Sequence, residues 1–224
     1  FVRYLGEYLS APAALNDLKK TFSINGRVYS GIPHQPKNFY NKVQLIAYCL
    51  KQGRFHLILS EKAEGDIQNF MRALSTRYSM YFNKKYNRKG RLFAGSYKCT
   101  EIGSEANLIC LTHYLHQQIG GHENNYSSYP EYIDKRETHW IKTDVVKTLF
   151  NQSSNAVLQE TGSYQNFVEK YTFSEEGKRR LEKLLFDPVD IQLERSILSS
   201  ETPLPQQISQ QKEGQKEIAI PSIG

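Results

Sequence analysis

The chain has 224 residues, a formal net charge of +6, 39% hydrophobic and 12% aromatic residues, and a mean hydropathy of −0.59. That length excludes a peptide-sized module and admits one domain with an extension, or two small ones, around a real core. The longest unbroken apolar run, Leu45 to Leu50, is six residues against the ~20 a membrane helix needs, so no transmembrane helix is encoded, and no signal peptide is visible.

In chain order, Val43 to Leu50 is β-branched and apolar at strand length, Lys51-Gln52-Gly53 makes a tight connection, and Arg54 to Ser60 reads as a second strand. The pair predicts an antiparallel hairpin. Period-two alternation puts Phe55, Leu57 and Leu59 on one face and Arg54, His56, Ile58 and Ser60 on the other. Arg54 and His56 therefore project side by side. Ile67, Phe70, Met71, Leu74, Tyr78, Tyr81 and Phe82 then recur at three- and four-residue steps, the pattern of an amphipathic helix that covers one sheet face.

A basic segment follows that helix. Lys84, Lys85, Arg88, Lys89, Arg91 and Lys98 fall within fifteen residues that contain no Asp or Glu. Tyr81, Phe82, Tyr86, Phe93 and Tyr97 interleave with them, so the segment can both neutralise phosphates and stack on bases. A charge run is also what a solvated loop looks like. Arg91 to Ile102 reads as a further strand, and Ser104 is a good N-cap for a helix running through Leu108, Leu111, Tyr114 and Leu115 to Gln118.

Tyr164 to Phe186 carries two short helical patterns, stopped by Asp187-Pro188. Ser196 to Gly224 has no aromatic residue and is rich in Gln, Ser and Pro, which reads as a disordered tail. The order of elements predicts an α+β fold, an antiparallel sheet with helices packed on one side. Expected units are residues 1–135, a helical extension over 136–195, and the tail over 196–224. Three cysteines, an odd number without CxxC spacing, argue against a disulfide scaffold and make the cytoplasm the expected location.

Tyr114 and Gln118 are four apart and share one helix face. If that helix packs near the hairpin, a phenol, an imidazole and an amide oxygen converge close to a phosphate-attracting segment, which is what tyrosine attack on a phosphodiester requires. The bland readings are a structural His56 and a core Tyr114. His113 and His116 are angled away from the Tyr114 face and are not expected to replace a ligand.

The succession IAYCLKQGRFHLIL, IQNFMRALSTRYSMYFNKKYNRKGRLFAGSYKCTEI, NLICLTHYLHQQI and NYSSYPEYI resembles the REP-associated tyrosine transposases, single-tyrosine HUH enzymes that bind hairpins and cleave single-stranded DNA. The resemblance covers about Lys42 to Ile133, with weaker similarity over Phe1 to Phe22 and Trp140 to Tyr171. It implies a ferredoxin-like sheet, a DNA partner in hairpin or single-stranded form, no membrane, and a nucleophile at Tyr114. It also implies a divalent metal, Mg or Mn, held by His56 and Gln118, and it is compatible with a homodimer.

One departure bears on catalysis. The family's strand carries two histidines as metal ligands; His56 matches the second, and Arg54 occupies the place of the first. Guanidinium has no lone pair to donate and repels a cation. Family members also begin with a strand, whereas this chain opens near the first helix at Phe1-Val-Arg-Tyr-Leu, so a central strand is expected to be missing. Two readings follow: a nicking and rejoining transposase acting through a covalent phosphotyrosine, or an impaired protein that binds DNA through Arg54, Lys84, Lys85, Arg88, Lys89, Arg91 and Lys98. A third is a basic globular domain with no nucleic-acid role.

Overall fold

The computed structural model describes residues 1–14, 18–33, 35, 37–51, 53–117, 126–186 and 218–223. Val43–Lys51 (β3) and Arg54–Glu61 (β4) pair antiparallel as the alternation predicts, with Gly53 at φ 79° in the tight turn between them. That left-handed conformation favours glycine. Before them stand α1 (Val2–Leu9) and a separate hairpin of β1 (Lys20–Ile24) and β2 (Arg27–Gly31), exposed along both strands.

Phe55, Leu57 and Leu59 pack with Ile67, Phe70, Met71 and Leu74 of α2 (Asp66–Lys85) and with Leu5 and Leu9 of α1. Burying a side chain of this size stabilises by about 1.5–3 kcal/mol. Helix α2 starts where Glu61 accepts the Ile67 amide at 2.7 Å. Arg77 of α2 ion-pairs with Glu7 and lies over the Tyr4 ring at 4.5 Å, which clasps α1 to α2.

The opposite sheet face, with Ile46, Cys49 and Ile58, is covered by α3 (Glu105–Gln117). Ser104 caps this helix, its Oγ accepting the Asn107 amide at 3.2 Å. The short α4 (Tyr129–Tyr132) and α5 (Asp144–Gln152), α6 (Ala156–Thr161), α7 (Tyr164–Lys170) and α8 (Glu175–Phe186) follow. Tyr132, Val146, Phe150, Leu158, Phe167 and Leu181 share one core with Leu111 and Leu115. The α+β class holds, but helices cover both faces of the sheet rather than one. The reason lies in α3, whose buried residues run from Asn107 to His116: it is apolar on more than one side, so it touches the sheet and still needs the extension to bury the rest.

The main sheet has the order β3-β4-β6-β5, all antiparallel, where β5 is Lys98–Glu101 and β6 is Ile218–Ile223. The expected strand over Arg91 to Ile102 is shorter than predicted, because Phe93 turns back to pack on Phe55 and Tyr78. Of the expected tail, 196–217 and Gly224 lie outside the described residues, and Ile218–Ile223 occupies the position between β4 and β5. There the resemblance calls for an N-terminal strand. The free edge of β3 is covered as well: the Leu50 amide donates to the Tyr126 carbonyl, and the amides of Ser128 and Lys142 donate to the carbonyls of Tyr48 and Leu45. Covering an edge in this way blocks strand addition.

Candidate nucleic-acid interface and tyrosine site

Register fixes the neighbourhood of His56. Its antiparallel partners are Cys49 on β3 and Ser222 on β6, and Ser222 in turn faces Lys98 on β5. Cys49, His56, Ser222 and Lys98 thus form one row across the sheet, with Lys98 roughly 10 Å from His56 at two strand spacings. Arg54 lies two residues back on the same face and is exposed, directly opposite Lys51. His56 itself is 5% exposed. Burial, aided by the charges of Arg54 and Lys51, pushes its imidazole down to about 4, so it is neutral at pH 7.

Tyr114 lies on that same side. Its ring belongs to the cluster containing Cys49 and Ile58, the neighbours of His56, and it is 7% exposed. Its hydroxyl donates to Glu182 Oε1 of α8 at 3.0 Å. Helix α8 packs along β5 and β6 and against α3, so it covers the phenol from the sheet's outer side. Sequence reasoning missed Glu182, and no motif marks it; only the packing of α8 on α3 brings the two together. Gln118 lies outside the described residues.

The two histidines of α3, His113 and His116, are buried and hydrogen-bonded within the core. His116 is buried between Tyr164, whose hydroxyl is 2.8 Å from Nδ1, and Ser128, whose Oγ is 2.9 Å from Nε2. Ser128 Oγ also accepts the Tyr48 amide and donates to the Tyr48 carbonyl at 3.4 Å, an arrangement that a neutral ring completes by donating from Nε2 to Ser128 and accepting from Tyr164 at Nδ1. His113 Nε2 donates to the carbonyls of Phe167 and Tyr171 at 2.9 and 3.2 Å. Burial pushes these rings down to about 3 and about 4.

The donors around His56 decide whether the implied divalent metal fits. His56 is a competent neutral donor, but its flanking side chains on the open side are Arg54 and Lys51, both cationic. Among the described residues no group of three His, Cys, Asp or Glu could hold a metal ion. The two cationic side chains disfavour a cation beside His56, and Gln118, the other implied ligand, lies outside the described residues.

The basic segment forms an exposed cap that runs from the end of α2 into β5, where Lys98 lies. Lys84, Lys85, Arg88, Lys89, Arg91 and Lys98 are all exposed. Asn83 Nδ2 donates to the Gly90 carbonyl at 2.8 Å and the Arg88 amide to the Asn83 carbonyl, which closes the turn. Lys85 sits over the rings of Tyr81 and Tyr86 at 5.9 and 5.2 Å, and Arg88 over Phe82 at 5.5 Å. Tyr81 and Tyr86 are 44% and 53% exposed. Cations and ring faces are thus presented together, the composition of a surface that tracks a phosphate backbone and stacks on bases.

Residues 34–118 match the family model described as "Transposase IS200 like". The match holds β3, β4, α2, the basic cap, β5 and α3, and so supports a transposase-family relationship for the part of the chain that carries Arg54, His56 and Tyr114. Comparison with curated proteins and with solved structures gave no match. Among the described residues no helix is long and apolar enough to cross a membrane.

Proposed function

We propose that this chain is a transposase-like DNA-binding protein that takes hairpin or single-stranded DNA on the exposed cap from Lys84 to Lys98, and that it binds without cutting. The observation that carries this reading is the cap itself: six exposed cations in a stretch of sequence that contains no Asp or Glu, beside the exposed rings of Tyr81 and Tyr86, inside the segment similar to IS200-like transposases. Arg54 and Lys98 flank His56 on one sheet face and extend the positive surface toward Tyr114. Arg54 there contacts a phosphate by its two-pronged guanidinium. Cutting is disfavoured because the cations beside His56 oppose a metal and because Tyr114 is covered by α8.

The Tyr114 to Glu182 hydrogen bond favours a second reading. A carboxylate 3.0 Å from the phenol is placed to take its proton as the phenolic oxygen attacks phosphorus, forming the phosphotyrosine bond while the P–O bond to the leaving deoxyribose oxygen breaks and that oxygen is protonated by water. One experiment separates the two. The full chain is mixed with a labelled hairpin oligonucleotide carrying a single-stranded flank, with Mg or Mn present. Tight binding without a covalent adduct is the expected result; an adduct that Tyr114→Phe abolishes establishes the nicking reading instead, and no binding to hairpin or single strand sinks both.

A further inference from the structure

The hairpin of β1 and β2 lies outside the segment matched by the transposase family, residues 34–118. Its register makes Phe22 and Tyr29 directly opposed, with Ile24 facing Arg27 and Lys20 facing Gly31. Lys20, Phe22, Ile24, Arg27 and Tyr29 therefore share one face of the ribbon. The rings of Phe22 and Tyr29 are stacked, centroids 6.0 Å apart and planes at 19°. The Phe22 ring also lies over Gly31, close enough that a Cβ there would touch it at 3.5 Å, an ordinary van der Waals contact. Both rings are held flat yet remain 48% and 44% exposed.

Charge says what fits this face. No Asp or Glu stands between Asp17 and Glu61, while Lys19, Lys20, Arg27, Lys37, Lys42, Lys51 and Arg54 do. The apolar pair is thus bracketed by Lys20 at one end of the ribbon and Arg27 at the other. A second copy of the same ribbon would bring like charges together, and a purely apolar partner would leave the cations without counterions. A polyanion with planar apolar groups satisfies both features, and single-stranded nucleic acid is that ligand.

We propose that the β1–β2 ribbon is a second DNA-binding element, in which Phe22 and Tyr29 stack on unpaired bases while Lys20 and Arg27 hold the flanking phosphates. The inference rests on the DNA-binding reading above and adds an element that the family-matched segment lacks. Asn25 and Gly26, at φ 51° and 76°, close the ribbon with the left-handed turn that matches strand twist, which keeps the arm preformed before it meets DNA.

The test measures binding of the full chain to an oligothymidylate over a range of salt. F22L/Y29L keeps apolar bulk but removes the ring faces; it should weaken binding about tenfold or more with the salt slope unchanged, because stacking releases no counterions. K20Q/R27Q should flatten the slope. F22W places a reporter on the ribbon, and its fluorescence should be quenched as oligothymidylate is added. Wild-type affinity in both double variants, or no quenching of the tryptophan, overturns the ribbon's role while leaving the DNA reading intact. A wild-type chain that binds no oligothymidylate and no hairpin removes the DNA reading itself. Affinity unchanged but a dimer abolished in F22L/Y29L, seen by sedimentation, assigns the face to self-association and also overturns the proposal.

Discussion

The hydroxyl of Tyr114 donates to Glu182, sixty-eight residues later in the chain, at 3.0 Å. The bond ties α3 to α8 and makes the phenol part of the packing between them. Tyr114→Phe should therefore lower stability by about 1 kcal/mol, roughly 2–4 °C in melting temperature at this chain length, and leave DNA affinity within twofold. Thermal unfolding and an oligonucleotide titration check both. Loss of DNA binding in this variant would contradict the assignment of DNA binding to the cap and the ribbon.

Arg54 and Lys51 face each other at the end of the hairpin and place two cations beside His56. Arg54→His removes one and supplies a second imidazole on the same strand face. The variant should gain measurable Mn binding by calorimetry where the parent shows none. If it gains nothing, the positive potential around His56 does not decide metal affinity.

Charge reversal at Lys84, Lys85, Arg88 and Lys89 tests the cap. For each phosphate that is no longer neutralised, the slope of log affinity against log salt should fall by roughly 0.7 to 0.9. All four side chains are exposed, so melting temperature should stay within a few degrees. An unchanged slope removes the cap from the interface.

The three buried imidazoles set a pH dependence. His56, His113 and His116 sit at about 4, about 4 and about 3 in the folded protein, held down by burial, against about 6.5 in the unfolded chain. Between those limits the unfolded state binds more protons, so stability is fully present above pH 6.5 and is lost as pH falls toward 4. Melting temperature should be flat from pH 7 to 8 and drop steeply from pH 6 to 4.5. His116→Gln should melt lower at pH 7 than the parent, with a shallower acid slope. An acid slope identical to the parent's would show that His116 does not titrate with unfolding.

The β3–β4 hairpin, α2 and α3 are legible in the sequence because period-two and period-3.6 patterns survive wherever one face is buried. Leu57 and Leu59 on one side and Ile58 on the other fall into the two separate cores that the alternation assigns them. The β1–β2 ribbon is absent from the expected elements although Asn25-Gly26 between Phe22, Ile24, Val28 and Tyr29 is a strong hairpin signal; its strands bury neither face, so the alternation that marks a half-buried strand is weak there. Glu182 could not be read, since its role exists only once α8 lies on α3. The same holds for His116, whose partners Ser128 and Tyr164 are contributed by segments far apart in the chain.

The position of β6 has a consequence for how this protein is made. Its neighbours β4 and β5 end at Glu61 and Glu101, whereas β6 begins at Ile218, so the middle of the sheet leaves the ribosome long after the strands on either side of it. At synthesis rates of about 5–20 residues per second, β4 and β5 wait for several seconds with their facing edges unpaired. Sheet closure is then a late, long-range step, slow in the sense that pairing between distant segments is slow. For that interval a nascent chain of this kind carries two strand edges open to pairing with the wrong strand.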